Sequence, residues 1–395
     1  MSRILVITPC PTHPATEGNA RRVLNLVEAL LRLGHDTHIL YLPHFLFSLP
    51  DLPAMRRHWK ERLHVARPHL AFLPGFLRNA LLLRRERMLG RLRRAYDHLA
   101  RPQWEFDALS LWERYRFDVV VIEYILISII LRQIPDTVLK IIDTHDIFAD
   151  RNQRVPNVPK PQQWFSTTRE GEALGLNRAH VVLAIQDEEA GHFRSLTSNP
   201  VVTVGHLLSS VKEVGEPVGP PSALFVASQN PINRHGLLLF LEQAWPLVRK
   251  ELPDARLRLV GRIGDSIAGD WPGLERLGVI EDMTAAYERG HVVVNPVLEG
   301  TGLPIKSIEA LERGKPLVTT AWGARGITDG AGAAFLVGED PARLAASVVL
   351  LLRDAEARRR LAAAALRYAL GWNERQARSL QRAVAMPAPA RRSVQ

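Results

Sequence analysis

Short, almost wholly apolar runs alternate along most of the chain with longer segments whose apolar residues recur every three or four positions. The first kind predicts buried strands and the second amphipathic helices, and their alternation predicts βαβ units built on parallel sheets. Residues 4–8 read as the opening strand and residues 9–18 as a loop. Residues 19–33 then read as a helix burying Val23, Leu26, Val27, Leu30 and Leu31, with Gly34 as its C-terminal cap. Further strands are predicted at 37–42, 118–122, 138–142, 180–185 and 201–204.

The pattern breaks at residues 211–222, VKEVGEPVGPPS, whose Pro and Gly content and few bulky apolar residues predict a linker. Beyond it the alternation restarts: strand 224–227, helix from about 235 to 250, strands 257–260 and 292–295, helix 305–313 and strand 317–320. Residues 341–354 and 355–370 read as two closing helices and residues 386–395 as a frayed tail. The organisation is therefore an N-terminal domain over 1–210, the linker, a second domain over 223–370 and a C-terminal helix and tail over 371–395. Two tandem Rossmann-like α/β domains place a ligand in the cleft where the C-terminal ends of both parallel sheets face each other. The loops that follow strands are the places to look for chemistry.

Composition narrows the possibilities. The chain has 395 residues, 46% hydrophobic and 23% charged, which excludes global disorder. One cysteine, Cys10, excludes a disulfide scaffold and any multi-cysteine metal site, so a reducing cytoplasm is the expected compartment. The opening MSRILVITPCP is too short in its apolar core for a signal peptide, and the apolar run 119–134 is interrupted by Glu123, so no segment is expected to cross a membrane.

The net charge is +10, and it is concentrated. Between residues 56 and 101 stand thirteen Arg or Lys against three acids, Glu61, Glu86 and Asp97, so this insert carries the whole excess. The same stretch holds Trp59, Leu63, Phe72, Phe76 and Leu81 among its cations, the mixture found in interfacial amphipathic helices. An anionic membrane surface is one expected partner, with the protein peripheral on its inner face; a pair of solvated helices is the other reading. No nucleic-acid-binding module surrounds the patch, so nucleic acid is not an expected partner.

The most informative segment is residues 292–327, VVVNPVLEGTGLPIKSIEALERGKPLVTTAWGARGI. A strand ends near Asn295, Gly300 and Gly302 permit close backbone approach, and a helix begins near Pro304. Free N–H groups and the helix dipole at such a junction make an anion site. Lys306 adds a point charge for a diphosphate, and Glu309 offers a carboxylate suited to a pair of ribose hydroxyls. An ordinary strand–loop–helix with a surface Lys–Glu pair has the same spacing.

This segment resembles the donor-binding stretch of the group-one, family 4-like retaining glycosyltransferases of the GT-B fold, which use nucleotide sugars. In that family two Glu residues separated by seven others precede a small-residue helix and a Gly-x-Pro-Val-Val run. Glu309 matches the second Glu, and Ala310, Leu311, Gly314, Lys315, Pro316, Leu317 and Val318 continue the match, as do Thr320, Gly323 and Gly326. Thr301 stands where the first Glu belongs, and Glu299 lies two residues too early. A subset of the family has a glycine-threonine loop followed by Lys-x-x-Glu, which Gly300, Thr301, Lys306 and Glu309 resemble without a gap; a two-residue insertion would instead make Glu299 the first Glu.

The resemblance extends over most of the chain. Pro11, Pro14 and Gly18, with the helix after them and Gly34-His35, are similar to the family's first βα unit. Asp143-Thr144-His145-Asp146 looks like a cleft loop that the family keeps after a strand, with Asp146 touching the sugar; His145 there would hold a sugar hydroxyl or take a proton, and a hydrogen-bonded structural histidine is the other reading. Asn230, Arg234 and Gly261 lie in a stretch similar to the opening of the donor domain, and the resemblance implies a phosphate-binding cation there, Arg234 first and Arg262 second.

The resemblance thus implies the GT-B fold and transfer of a sugar, with retention, from a nucleoside-diphosphate sugar to a saccharide or lipid-linked acceptor, in surface polysaccharide or glycolipid synthesis. His145, Lys306 and Arg234 are the expected catalytic residues. Gly18, Arg262, Gly300, Thr301, Gly302, Lys306 and Glu309 are expected to bind the donor, and Glu299 and Asp146 to contact the sugar. No HExxH pair or Asp-x-Asp motif occurs, so no metal or other cofactor is expected. Two alternatives of the same fold remain at this point: a nucleotide-sugar epimerase and a non-catalytic binding protein.

Overall fold

A computed structural model describes residues 1–44, 47–66, 96–154 and 165–388. Among these residues the chain forms two separate parallel sheets. The first contains β1 (Arg3–Thr8), β2 (Asp36–Tyr41), β3 (Leu63–Val65), β4 (Val119–Glu123), β5 (Leu139–Asp143), β6 (Val181–Ala184) and β7 (Val201–Thr203), in the spatial order β3-β2-β1-β4-β5-β6-β7. The second contains β8 (Ser222–Val226), β9 (Arg256–Val260), β10 (Leu274–Gly278), β11 (Val292–Asn295), β12 (Leu317–Thr319) and β13 (Leu336–Val337), in the order β10-β9-β8-β11-β12-β13. The strand order reverses between β1 and β4 in one sheet and between β8 and β11 in the other. A crevice opens at each such switch point, beyond the carboxyl ends of the strands, and the two crevices face each other.

The strands read as apolar runs because β4, β5 and β6 are buried at every position, with helices covering both faces of the sheet. The helix Gly18–Arg32 presses Val23, Leu26, Val27 and Leu30 onto the first sheet. The helix Ile305–Glu312 buries Ile308, Ala310 and Leu311 against the second. The strands that the sequence did not predict, β3, β10 and β13, all lie at sheet edges. Each is short or half-exposed, so none carries a continuous apolar run.

Four sequence-based boundaries are corrected. The helix expected over 235–250 begins at Pro231, where the Asn230 side chain accepts from the backbone N–H of Asn233. It widens into a π-type turn over Phe240–Ala244, because Pro246 supplies no N–H to the regular ladder, and resumes as Trp245–Glu251. The last helix runs over Ala355–Val384, well past the expected residue 370, because Trp372, Gln376, Leu380 and Ala383 continue its inward face. The start of the tail is not frayed: Met386 and Ala388 pack against the first domain's core, and residues from 389 on lie outside those described. Finally, Ser222 opens β8 rather than closing the linker, and Val211 and Val214 lie against the second domain's core.

The last helix also joins the halves. Leu380, Ala383 and Val384 complete the core that holds Ile4, Val6 and Val121 of the first sheet. On the way it crosses the connection out of β7 so closely that a Cβ on Gly205 would sit 2.4 Å from the Trp372 ring. Trp372 donates to the His206 carbonyl at 2.8 Å, and Gln376 accepts from the Gly205 N–H at 2.7 Å.

Most of the basic insert, residues 67–95, including Arg84, Arg85 and Arg87, lies outside the described residues. Its described start, the helix Leu52–Trp59, buries Met55 and Trp59 and leaves Arg56 and Arg57 exposed. No helix among the described residues is long and apolar enough to cross a membrane.

Candidate functional site

The facing crevices merge into one cleft of about 860 Å³. Its walls are the loops after β1, β4 and β5 on one side and those after β8, β9 and β11 on the other.

On the first wall, Asp143 ends β5 and Glu123 ends the neighbouring β4, opposite it in register. Arg22 reaches them from the helix Gly18–Arg32 and grips Asp143, with Nε 2.8 Å from Oδ2, while also donating to the Val204 carbonyl at 2.9 Å. Burial alone would raise the Asp143 carboxyl, but the Arg22 guanidinium overrides it and holds that carboxyl below the usual range. Glu123 has no such cation in contact. Burial and then the Asp143 charge push it well above the ordinary carboxylate range.

His145 lies at φ 50° and Tyr124 at φ 70°, two left-handed residues that bring their rings together at a centroid separation of 4.1 Å. Nε2 of His145 makes a short hydrogen bond with Glu123 Oε2 and lies 3.4 Å from Asp143 Oδ2. Burial lowers His145 to about 4, so near neutral pH the imidazole is uncharged. Glu123 thus engages Nε2, and His145 lines the cleft. Among the described residues Glu123, Asp143 and His145 form a group with donor atoms close enough for a metal ion, but Asp143 is taken by Arg22 and Nε2 by Glu123.

On the second wall, Lys306 stands in the first turn of the helix Ile305–Glu312 and donates to Asn233 Oδ1 at 2.5 Å. Burial lowers it to about 8, partly opposed by Glu309, so it remains largely charged at pH 7. Gly300, Thr301 and Gly302 precede this turn and line the cleft with Lys306, Gly18 and Arg262. Glu299 and Thr301, the two alternatives for the first-Glu position, both line it as well. Glu299 meets His235 Nδ1 at 3.0 Å, and Thr301 Oγ1 accepts from Arg151 Nε at 3.2 Å. Asp146 faces them from the first wall, 3.7 Å from Arg151.

Two expected residues are placed differently. Arg234 does not line the cleft; it is exposed and donates to the Ser266 carbonyl at 3.1 Å. Ile232 and Asn233 take the cleft-facing positions of that helix, and the next residue is rotated away by about 100°. Glu309 is buried and does not line the cleft, because Arg21 of the first domain caps it at 2.5 Å while Tyr287 approaches from within at 3.4 Å. A ribose reaches Glu309 only after Arg21 moves.

Sequence reasoning missed Arg22, Glu123, Asn233, Gln186 and Glu189. Two of them carried a signal. Arg22 falls on the apolar stripe of its helix, one turn before Leu26, and Glu123 is a charge at the carboxyl end of an otherwise apolar strand beside the switch point.

Residues 220–354 match the family model described as Glycosyl transferases group 1. Over the whole chain the fold is similar to sucrose-phosphate synthase from Thermosynechococcus elongatus, at a TM-score of 0.66 and 18% identity, covering 97% of this chain and 98% of that one. It is also similar to TarM of S. aureus, with a TM-score of 0.67, 9% identity and coverage of 98% and 100%, solved with UDP, fondaparinux and alpha-GlcNAc-glycerol. Anabaena HepE, solved with UDP and glucose, matches at a TM-score of 0.63 and 12% identity, over 97% of this chain and 100% of that one. In sequence, the chain is 21% identical over 377 residues to an uncharacterized 44.6 kDa protein in the cps region of Klebsiella pneumoniae, covering 88% of this chain and 90% of that protein. The architecture is the two-domain GT-B fold of these solved structures, and the second domain is similar to the group 1 glycosyl transferases over residues 220–354.

Proposed function

We propose that the second domain binds a nucleoside-diphosphate sugar and that the first presents a saccharide or lipid-linked acceptor, with sugar transfer in the cleft between them. The observation that carries this reading is the convergence of the Gly300–Gly302 loop, Lys306 and Arg262 on one wall with His145 and Asp146 on the other. Charge develops on the departing diphosphate, so its stabilisation is the main catalytic task. Lys306 and Arg262 supply cations for it, and the glycine loop offers the N–H groups of Gly300 and Thr301, that of Gly302 being bonded to Glu189, which supports a reaction that needs no metal. Retention of configuration accords with the group 1 match of the donor domain. A role in surface polysaccharide or glycolipid synthesis accords with the cps-region relative. The UDP in HepE and TarM makes UDP the first nucleotide to try.

The test is calorimetry of the purified protein against UDP, GDP, ADP, dTDP and NAD, with and without EDTA. Binding of one diphosphate, indifferent to EDTA and lost in Lys306→Ala, supports the reading. Silence towards every diphosphate overturns it.

A second reading has one observation in its favour. Glu123, Asp143 and His145 form the kind of buried carboxylate–imidazole cluster that a nucleotide-sugar epimerase of the same fold would need in its N-terminal cleft. Conversion of a bound UDP-sugar without any acceptor would select the epimerase. A peripheral position on an anionic membrane rests on the 56–101 insert, and replacing Arg84, Arg85 and Arg87 with Glu should abolish binding to anionic liposomes. Unaltered binding would remove the membrane from the reading.

A further inference from the structure

A distinctive contact across the cleft is made to a backbone. Gly302 of the donor loop donates its N–H to Glu189 Oε1 at 2.6 Å and accepts at its carbonyl from Gln186 Nε2 at 2.6 Å. Both side chains come from the first domain, at the start of the helix Asp187–Arg194. Their positions, the residue preceding the helix and its third residue, are those from which Ser or Thr and Glu commonly cap their own helix. Here Gln186 makes no cap bond, and both side chains turn outward to the other domain.

Three further facts indicate that position, rather than stability, is what this pair supplies. Gly302 has φ +77°, and a Cβ there would stand 2.8 Å from both the His145 carbonyl and Asp146 Oδ1, so the loop is wedged against the first wall with no slack. Gln186 and Glu189 are each 1% exposed. Each also leaves one oxygen, Gln186 Oε1 and Glu189 Oε2, buried with no hydrogen-bond partner among the described residues. Unpaired buried oxygens are costly, and an apolar pair of similar size would fill the same space without that cost.

We propose that Gln186 and Glu189 are positioning residues: they clasp both backbone groups of Gly302 and so set the Gly300–Gly302 loop against the diphosphate when the two domains are together. The contact couples the shape of the loop to domain closure, since the loop loses both of its fixed points when the domains part. This inference rests on the donor-loop reading given above, and the experiment separates the two.

Hydrogen exchange of the full chain, followed by mass spectrometry on the peptide covering residues 298–303, reads the clasp without any nucleotide. Calorimetry with UDP, GDP, ADP or dTDP, using the diphosphate that binds the wild type, reads its consequence. In Glu189→Leu and in Gln186→Leu, exchange of that peptide should quicken roughly tenfold or more and the diphosphate should bind about tenfold more weakly, the scale of one buried hydrogen bond lost. Glu189→Gln keeps an oxygen acceptor for the Gly302 N–H and should restore most of both, which loss of packing alone would not explain. If Glu189→Leu fails to fold, Gln186→Leu and Glu189→Gln carry the test. Unchanged exchange in the Leu variants overturns the clasp, and faster exchange with unchanged affinity overturns its positioning role. Absence of diphosphate binding to the wild type defeats the donor reading instead, and exchange alone then decides whether the clasp exists.

Discussion

The two walls of the cleft handle charge in opposite ways. On the first wall Arg22, Asp143, Glu123 and His145 are buried and bonded to one another, leaving one imidazole edge for a ligand. On the second, Lys306 has an amide as its hydrogen-bond partner, Arg262 is exposed, and the glycine loop presents backbone rather than side chains. A closed network fixes the placement of its side chains, whereas an open cationic surface receives a charged ligand of variable shape. On the proposed function, the difference assigns turnover to the first wall and donor affinity to the second.

Several substitutions can break that division or sharpen it. The largest effect is expected from His145→Ala: kcat should fall by roughly 10²–10⁴, the range for a positioned proton-transferring group. The Kd for the diphosphate should stay within about twofold; a parallel loss of affinity would show that the walls are not separate. Lys306→Ala should weaken diphosphate binding by roughly ten- to a hundredfold, as expected when one charge-assisted contact is lost, and calorimetry with EDTA present would measure it directly.

Glu123→Leu should lower kcat by about tenfold, because the bond that orients the His145 ring is lost, on the scale of a hydrogen bond to a buried group. Glu123→Gln retains an N–H donor to Nε2 and should recover most of the rate. Equal losses in the two variants would mean that the carboxyl does more than orient the ring.

The pH dependence follows from Lys306, which burial lowers to about 8. Its charge is present below that value and is lost as pH rises through it, so affinity for the diphosphate should decline by a few-fold between about pH 7 and 9. Lys306→Arg should flatten the curve, because a guanidinium stays charged over that range. The smallest effect is assigned to Arg21→Ala, which uncovers Glu309 and should tighten nucleoside-diphosphate binding by about two- to fivefold, the new ribose contact outweighing the cost of leaving a buried carboxylate without its ion pair. Tighter binding of inorganic pyrophosphate as well would show that Arg21 does not act through the contact of Glu309 with the ribose.

Much of the fold was legible because central parallel strands are apolar throughout, so β1, β4, β5, β8 and β11 stand out as runs. The edge strands β3, β10 and β13 do not, since one side of each meets solvent or a loop. The site was legible where backbone conformation dictates residue type: Gly300, Gly302 and Pro304 mark a strand–loop–helix junction in any context. It was not legible where partners come from distant parts of the chain. Nothing near Glu309 announces Arg21, and nothing near Gly302 announces Gln186 and Glu189, because those contacts exist only once the two domains meet. Arg234 lies off the cleft for a simpler reason: sequence places a residue on a helix turn, but one step of about 100° decides which way it faces.

The return of the helix Ala355–Val384 to the first domain has a consequence for how the molecule is made. The core around Ile4, Val6 and Val121 is closed by Leu380, Ala383 and Val384, which leave the ribosome long after β7 has been completed. At roughly 5–20 residues per second that interval is on the order of ten seconds or more. The second domain has all its strands in hand before then, while the first must wait with one flank uncovered. Synthesis therefore runs N to C, but the last piece of the core to be laid is the flank of the domain that was begun first.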